Sequence, residues 1–479
     1  MYVGGLDIGT SGCKIAVYDQ NGKFVKCEYT EYNVKREGGL HEIDPEEIFA
    51  SVKKVISSLN IYDLAAIAVT SFGETFAMLD ENDRVCAPSM LYTDPRGKDE
   101  CNVISSHFGI ENLAYKTGAK PHEMYSLPKI MQIKNNMPQC FNKAKHILLM
   151  QDYIVYMLTG NAVIDYSLAA RTGCFDIHNK CFIDDVLEFC GIDKNLLSKP
   201  VPSGTAAGVI KPKIANELKI NPNTKIVSGC HDQIAAMTGA NVVKSGEMMD
   251  GTGTVECVPV VCDSVPNDFS LFEKGYSFAP HINGKYACYA LSYTGGATLK
   301  WFRDNFTHKS YAELNDYVPN APTDLLIMPH FAGAATPYMD TNSKAVIANL
   351  TFEHTKMHIY KALMEGTAFE IAINIDIFKQ YGLIPNKLIA TGGGARSSVW
   401  LQIKADILGL PISALDTDEA GAAGTAYLAG KAAGFFNDET KLANTHKTYT
   451  PIKENHEYYL KQFKKYKKIY ALSKEVNNE

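Results

Sequence analysis

The sequence predicts an α/β protein made of two domains, on three observations. Its 479 residues exceed what one hydrophobic core ordinarily serves. The chain opens on a meander of β-forming runs, followed by an amphipathic helix and a buried strand, which is an α/β order. The strand-turn-strand device of residues 5–19, GLDIGTSGCKIAVYD, then returns in form at 246–261, GEMMDGTGTVECVPVV. A division near residue 240 follows, into 1–240 and 241–479.

Tyr2 to Leu6 and Lys14 to Tyr18 alternate and are rich in β-formers. The Asn-Gly pair at 21–22 then signals a hairpin into FVKCEYTEYNV. In DPEEIFASVKKVISSL (44–59) apolar residues recur at helical spacing behind an N-capping Asp44 and a first-turn Pro45. LAAIAVTSF then reads as a buried strand. LPKIMQIKNNM and QDYIVYMLTG read as helices, and KIVSGCHDQIAAMTGA (225–240) as strand, polar turn and helix. Beyond the repeated device come helices at LKWFRDNF and IYKALMEGTAFEIAINIDIF. LIATGGGARSSVWLQIKADILGLPI then reads as a strand ending in glycines before a helix. The last helix, EYYLKQFKKYKKIYALS, carries a lysine run expected to be a solvated face.

Composition excludes several classes. With 46% hydrophobic and 21% charged residues the chain has the balance of a soluble globular protein. A net charge of -6, from 53 acidic and 47 basic residues, offers no footprint for nucleic acid. No segment has the run of apolar residues needed to span a membrane, and Asp7 stands where a signal peptide would be basic and then apolar, so a cytoplasmic protein is expected. Twelve scattered cysteines form no C-x-x-C pair and read as buried, reduced thiols.

Three glycine turns carry the chemistry. Tight glycine turns expose backbone amides in a concave nest suited to phosphate oxygens, to which Thr and Ser hydroxyls add donors. DIGTSGCK and DGTGT both qualify. Neither is a Walker A loop, and neither is a dinucleotide fingerprint, since a strand follows each. An isolated match of this kind is also what an ordinary hairpin shows. Asp7 can hold Mg²⁺, which takes one or two carboxylates plus substrate phosphates, and Lys14 adds a cation. The third turn, TGGGAR at 391–396, lets backbone approach a flat ring or phosphate closely. In GCHDQIAAMTG, Asp232 stands at a strand-to-helix transition, as a general base for a hydroxyl or as a helix cap, with His231 structural.

The ordered series GLDIGTSGCK, YTDPR, QDYIVYMLTG, DYSLAARTGCFDI, GCHDQIAAMTG, GTGT, TGGATLKWF, PHFAGAATP, TGGGARSSVWLQIKADILGLPI and EAGAAGTAYLAG resembles the motifs of the FGGY carbohydrate kinases, over nearly the whole chain. The resemblance implies the two-domain sugar kinase, actin and hexokinase fold, ribonuclease H-like. Each domain would hold a five-stranded mixed sheet, with a cleft between the domains. It implies ATP-dependent phosphorylation of a small sugar or polyol, with Mg²⁺. Residues 1–240 would bind the acceptor and supply the base, and residues 241–479 would bind ATP. By that pattern Asp232 takes the hydroxyl proton and Asp7 lies near the metal. Gly9, Thr10 and Lys14 flank the phosphates. Gly251, Thr252 and Gly253 face the γ-phosphate with Gly296 and Lys300 nearby, and Gly393, Gly394 and Ser398 match adenosine-binding positions. Dimers are common in such kinases, which makes a homodimer an expectation.

For the acceptor, TSFGETFAMLD (70–80) occupies the place where family members contact it. The Gln-Met-His-Gly usual in xylulose kinases is replaced by Gly73, Glu74 and Thr75. The last two, with Asp232 followed by Gln233, resemble glycerol kinases, in which an arginine stands at the position of Gly73. Glycine there is expected to open room and remove a fixed cation. Glu74 would accept hydrogen bonds from two hydroxyls, Asp94 and Arg96 of YTDPR line the site or form an ion pair, and Tyr125 stacks under the carbon chain or packs in the core. The acceptor expected is a ketopentose such as xylulose. The alternatives are glycerol or another polyol, a deoxyketohexose, and, in another class, a non-catalytic regulator that binds ATP and sugar.

Overall fold

The computed structural model describes residues 1–417 and 419–477. The chain forms two compact units. The first is Met1–Asn241 with Ala279–Tyr286 and Glu419–Ala443, and the second is Val242–Phe278, Ala287–Asp418 and Asn444–Glu479. The boundary thus falls at 241–242, but the stretch 419–443, in the half expected to form a second domain, returns to the first unit.

In the first unit β1 (Tyr2–Ile8), β2 (Gly12–Asp19), β3 (Phe24–Glu31), β4 (Leu64–Ser71), β5 (Thr205–Val209) and β6 (Lys225–His231) form one sheet, in the order β5-β6-β4-β1-β2-β3. That is one strand more than the resemblance implies. The extra strand is β5, antiparallel to β6 at the edge. Strands β6, β4 and β1 run parallel, so their carboxyl ends meet: Ile8 is in register with Ser71, and Ser71 with His231. The helix Pro45–Ser58, capped by Asp44 as its sequence predicts, buries Ile48, Val52, Val55 and Ile56 in one core with Leu6, Ile15 and Val17. Burying each of these side chains contributes roughly 1.5–3 kcal/mol.

The helix Ala420–Ala433 covers β1 at a distance only small residues permit. A Cβ on Gly5 would lie 2.1 Å from the carbonyl oxygen of Ala422, and one on Gly424 would lie 1.9 Å from that of Ala235 in the helix Asp232–Gly239. Backbone therefore packs on backbone, and the N-terminus of this 14-residue helix is brought to the carboxyl end of β1.

The second unit repeats the device. β7 (Glu247–Thr252) and β8 (Glu256–Cys262) form a hairpin, and β7 runs parallel to β9 (Lys387–Thr391), as β1 does to β4. Parallel β10 (Ile412–Leu415) and antiparallel β11 (Thr445–Tyr449) extend the sheet, which has seven strands in all. The buried helix Lys356–Gln380 lies in this unit. No described helix is long and apolar enough to cross a membrane.

Candidate active site

In the first unit the turn between β1 and β2 is closed by Gly9 N donating to Gly12 O at 2.9 Å. Tyr32 fastens it from below, its hydroxyl donating to the carbonyls of Gly9 and Gly12. Gly9, Thr10 and Lys14 thus stand on one rigid hairpin. Lys14, opposite Asp7 in the ladder, donates to Glu419 at 2.6 Å. Asp7 lies against the N-terminus of the helix Ala420–Ala433, where a Cβ on Gly421 would be 3.3 Å from its Oδ2. Burial first, then the carboxylate of Asp232, pushes the Asp7 carboxyl up to about 7.

Asp232 opens the helix that follows β6, one residue past the strand. Its Oδ1 is shielded from solvent and has no hydrogen-bond partner among the described residues, with His231 Nε2 at 3.3 Å. Burial pushes the Asp232 carboxyl up to about 6, against the pull of the Gln233 amide and the Arg171 guanidinium. His231 is driven down to about 3, by burial and by Arg171, so it is neutral. Such a carboxylate is ionised near neutral pH and still basic enough to take a proton.

Glu74 follows β4 with φ 66°, and its side chain is buried. Arg171, which the sequence does not single out, donates from Nε to Glu74 Oε1 at 2.6 Å and also from Nη2. Its guanidinium lies 5.0 Å from the ring centroid of Tyr125. Gly73 therefore does not open room: a Cβ there would be 2.9 Å from Arg171 Cγ, so the space holds a side chain, and the cation expected to be missing is supplied from residue 171. Tyr125 carries that guanidinium. Thr75 is fully enclosed. Asp94 and Arg96 are engaged with each other. Arg96 donates to both Asp94 oxygens at 2.8 Å and to Glu42 at 2.6 Å, while the buried Lys129 donates to the Asp94 carbonyl at 2.6 Å. They brace the turn beneath half-exposed Tyr92, whose hydroxyl is pushed up by burial and then by the carboxylates of Glu74 and Asp232. Tyr92 is the first residue of the YTDPR motif, two positions before Asp94.

In the second unit three glycine turns converge on Thr252. Gly296 N donates to Gly253 O at 2.8 Å, and a Cβ on Gly394 would lie 2.6 Å from Thr252 Cβ. They border a cavity of about 470 Å³, lined by Thr252, Gly253, Gly296, Gly393 and Gly394 together with Leu299, Tyr311, Asn315, Tyr360 and Trp400. Its size and its apolar, aromatic lining with few polar groups suit a flat organic ring. Gly251 precedes the turn inside β7.

Two expected residues fall elsewhere. Lys300 is exposed on its helix and pairs with Asp304 one turn on, and Ser398 lines a neighbouring cavity while Ser397, the N-cap bonded to Trp400 N at 3.2 Å, borders this one. Thr252 is itself held from below. Its hydroxyl donates to Asp250 at 2.7 Å, and the buried Lys404 ties together Asp250, Thr252 and, at 2.6 Å, Glu256.

Residues 2–239 match the FGGY family of carbohydrate kinases, N-terminal domain, and residues 249–433 match its C-terminal domain. The chain is 27% identical to the xylulose kinase of Bacillus subtilis, over 99% of this chain and 98% of that protein. It is also 27% identical to the gluconokinase of Bacillus subtilis, over 95% and 92%. Among solved structures, a xylulose kinase from Brucella ovis matches with a TM-score of 0.91 over 99% of this chain and 100% of that one, at 23% identity, a likeness of fold.

Proposed function

The chain belongs to the FGGY family of carbohydrate kinases, and from that premise we propose that it transfers the γ-phosphate of ATP to a terminal hydroxyl of a small sugar, a ketopentose such as xylulose. The observation that carries the reading is Asp232. Its Oδ1 is shielded and has no hydrogen-bond partner among the described residues, and the carboxyl is raised to about 6, at the carboxyl end of a strand parallel to those that present Asp7 and Glu74.

The first unit binds the acceptor. Asp232 receives the proton of the attacking hydroxyl, Gln233 and Arg171 keep the carboxylate ionised, and Glu74 accepts from hydroxyls further along the chain. On the Gly9–Gly12 turn, the Thr10 hydroxyl and the nearby Lys14 cation suit phosphate oxygens. The second unit binds the nucleoside, its ring among Leu299, Tyr360 and Trp400, with Thr252 and the surrounding glycine amides toward the phosphates.

No group of three or more metal-ligating side chains occurs among the described residues. A single carboxylate, Asp7, beside Asp232 fits Mg²⁺, which keeps waters and substrate phosphates as most of its ligands. When bound, the ion neutralises charge on the phosphates. We place the reaction in the cytoplasm, whose reducing conditions suit twelve free cysteines, and a homodimer is the proposed assembly.

The test is ADP release by the purified protein with ATP and Mg²⁺ against ketoses, polyols and aldonic acids, the last because a gluconokinase is as similar as a xylulose kinase. Acceptor-dependent release with xylulose is expected, and lost by a factor of about 10³ or more in Asp232→Asn. Absence of release with every acceptor would sink the kinase reading.

A further inference from the structure

We propose that Arg171 is a specificity-determining residue: with Glu74 it forms a paired face that takes adjacent oxygens of an uncharged sugar and rejects an acceptor bearing a carboxylate. The proposal rests on the kinase reading above and names the acceptor class at the same site.

Geometry comes first. Arg171 closes on one oxygen of Glu74 with two nitrogens, Nε at 2.6 Å and Nη2, and these do not engage Oε2. The carboxylate is thereby fixed in orientation with an acceptor oxygen remaining, and a guanidinium edge stands beside it. Neighbouring oxygens of a sugar, one donating to Glu74 and one accepting from Arg171, match such a pair. The pair is over-determined. The Tyr125 ring lies under the guanidinium, Gly173 admits Tyr125 at 3.1 Å from where a Cβ would be, and Gly73 leaves the lane through which the Arg171 side chain passes. Both partners are largely buried, with side chains 15% and 5% exposed, so hydrogen bonds to them are little screened by water.

Charge then sets the class. Asp7, Asp232, Glu74 and Arg171 sense one another here: Asp7 feels Asp232, Asp232 feels Arg171, and Arg171 is paired to Glu74, while Lys129, which also feels Glu74, and Arg96 are matched by the carboxylates of Asp94 and Glu42. Lys14 is neutralised by Glu419. Even with Asp7 compensated by a metal ion, two carboxylates face one guanidinium. An aldonate would bring a further negative charge into a site already negative and largely desolvated, whereas a ketose or polyol brings none.

The experiment compares wild type, Arg171→Gln, Arg171→Lys and Gly73→Ala, with KM and kcat for xylulose, for a pentitol and for gluconate, the KM for ATP, and calorimetric binding of the same three compounds. Wild type should favour xylulose over gluconate by about a hundredfold or more in kcat/KM. Arg171→Gln should raise the KM for xylulose about tenfold or more and leave that for ATP within twofold, with partial recovery in Arg171→Lys. Gly73→Ala, which keeps the charge but obstructs the side chain, should move xylulose in the same direction as Arg171→Gln. An unchanged xylulose KM in Arg171→Gln, equal rises for ATP and xylulose, or a preference for gluconate would overturn the proposal. A wild type that turns over no acceptor defeats the kinase reading instead, and the binding arm then decides for Arg171: neutral sugar bound about tenfold more weakly by Arg171→Gln supports it, and equal binding refutes it.

Discussion

Replacing Lys404 by methionine isolates what holds the turn at Thr252. The lysine is 1% exposed, and its ammonium reaches Asp250, Glu256 and the Thr252 hydroxyl at 3.0 Å, with both carboxylates fully buried. Methionine keeps the length of the side chain beside Trp400 and removes the charge, so two enclosed carboxylates lose their cation. Breaking a buried pair in this way costs roughly 3–5 kcal/mol. At about 2–4 °C per kcal/mol for a body of this size, the unfolding midpoint should fall by roughly 6–20 °C.

The pH dependence has a definite sign. Burial pushes the Glu256 carboxyl upward even with the lysine present. Without it, the Glu256 carboxyl rises further above its unfolded value, so the folded state binds more protons than the unfolded one and regains stability as pH falls. The deficit against wild type should therefore be larger at pH 7.5 than at pH 5.5. Scanning calorimetry of both proteins at the two pH values checks it. A midpoint within about 2 °C of wild type, or a deficit that widens in acid, would refute the account.

Three further outcomes are expected. Because Asp232 must be ionised to accept a proton and is raised to about 6, kcat/KM for the acceptor should fall about tenfold per pH unit below that value, and a profile flat down to pH 5 would remove it as the base. Asp152, buried, bonded to Ser198 at 2.5 Å and raised to about 8, keeps a proton that the unfolded chain releases near 3.8. Its contribution to stability is lost as pH rises across that window, so Asp152→Asn should flatten the decline in urea midpoint between pH 5 and pH 8, and parallel slopes would count against it. Gly424→Ala forces a Cβ toward the Ala235 carbonyl and should lower the urea midpoint by the equivalent of about 1–3 kcal/mol or more; an unaltered midpoint would mean that the two helices separate freely.

What the sequence could disclose of the fold divides along a physical line. The hairpins, the capped helix Pro45–Ser58 and the buried strand β4 were legible, because each is specified by a period or cap within its own residues. The closing helix was legible for the same reason: Tyr459, Phe463, Tyr466 and Ile469 return on one buried face, with lysines on the other. The helix Ala420–Ala433 also appears as a motif, yet its place does not. Its buried residues are alanines and glycines that meet backbone rather than large side chains, so no apolar stripe announces which sheet it covers. Its membership of the first unit is a contact between residues some four hundred positions apart.

The site divides in the same way. Asp7, Glu74 and Asp232 lie just inside or beyond the ends of parallel strands, where a turn or a new helix starts, and local sequence marks such places. Arg171 is 97 residues from Glu74 and sits at the end of a short helix whose pattern says nothing about direction. Lys404 is 154 residues from Asp250 and, within its helix, looks like any solvent-facing lysine. Glycine adds a particular ambiguity. Gly73 has no side chain, and a sequence cannot say whether the space is left for substrate or for another residue of the protein. Here another residue fills it, which turns an expected loss of charge into a change in the direction from which the charge arrives. An acceptor inferred from the residue at 73 alone would be a longer molecule in a more open site. Inferred from residues 73, 74 and 171 together, it is an uncharged one held by a fixed pair. On the proposed pairing, the choice between a ketose and an aldonate turns on Arg171, a residue outside the segment TSFGETFAMLD.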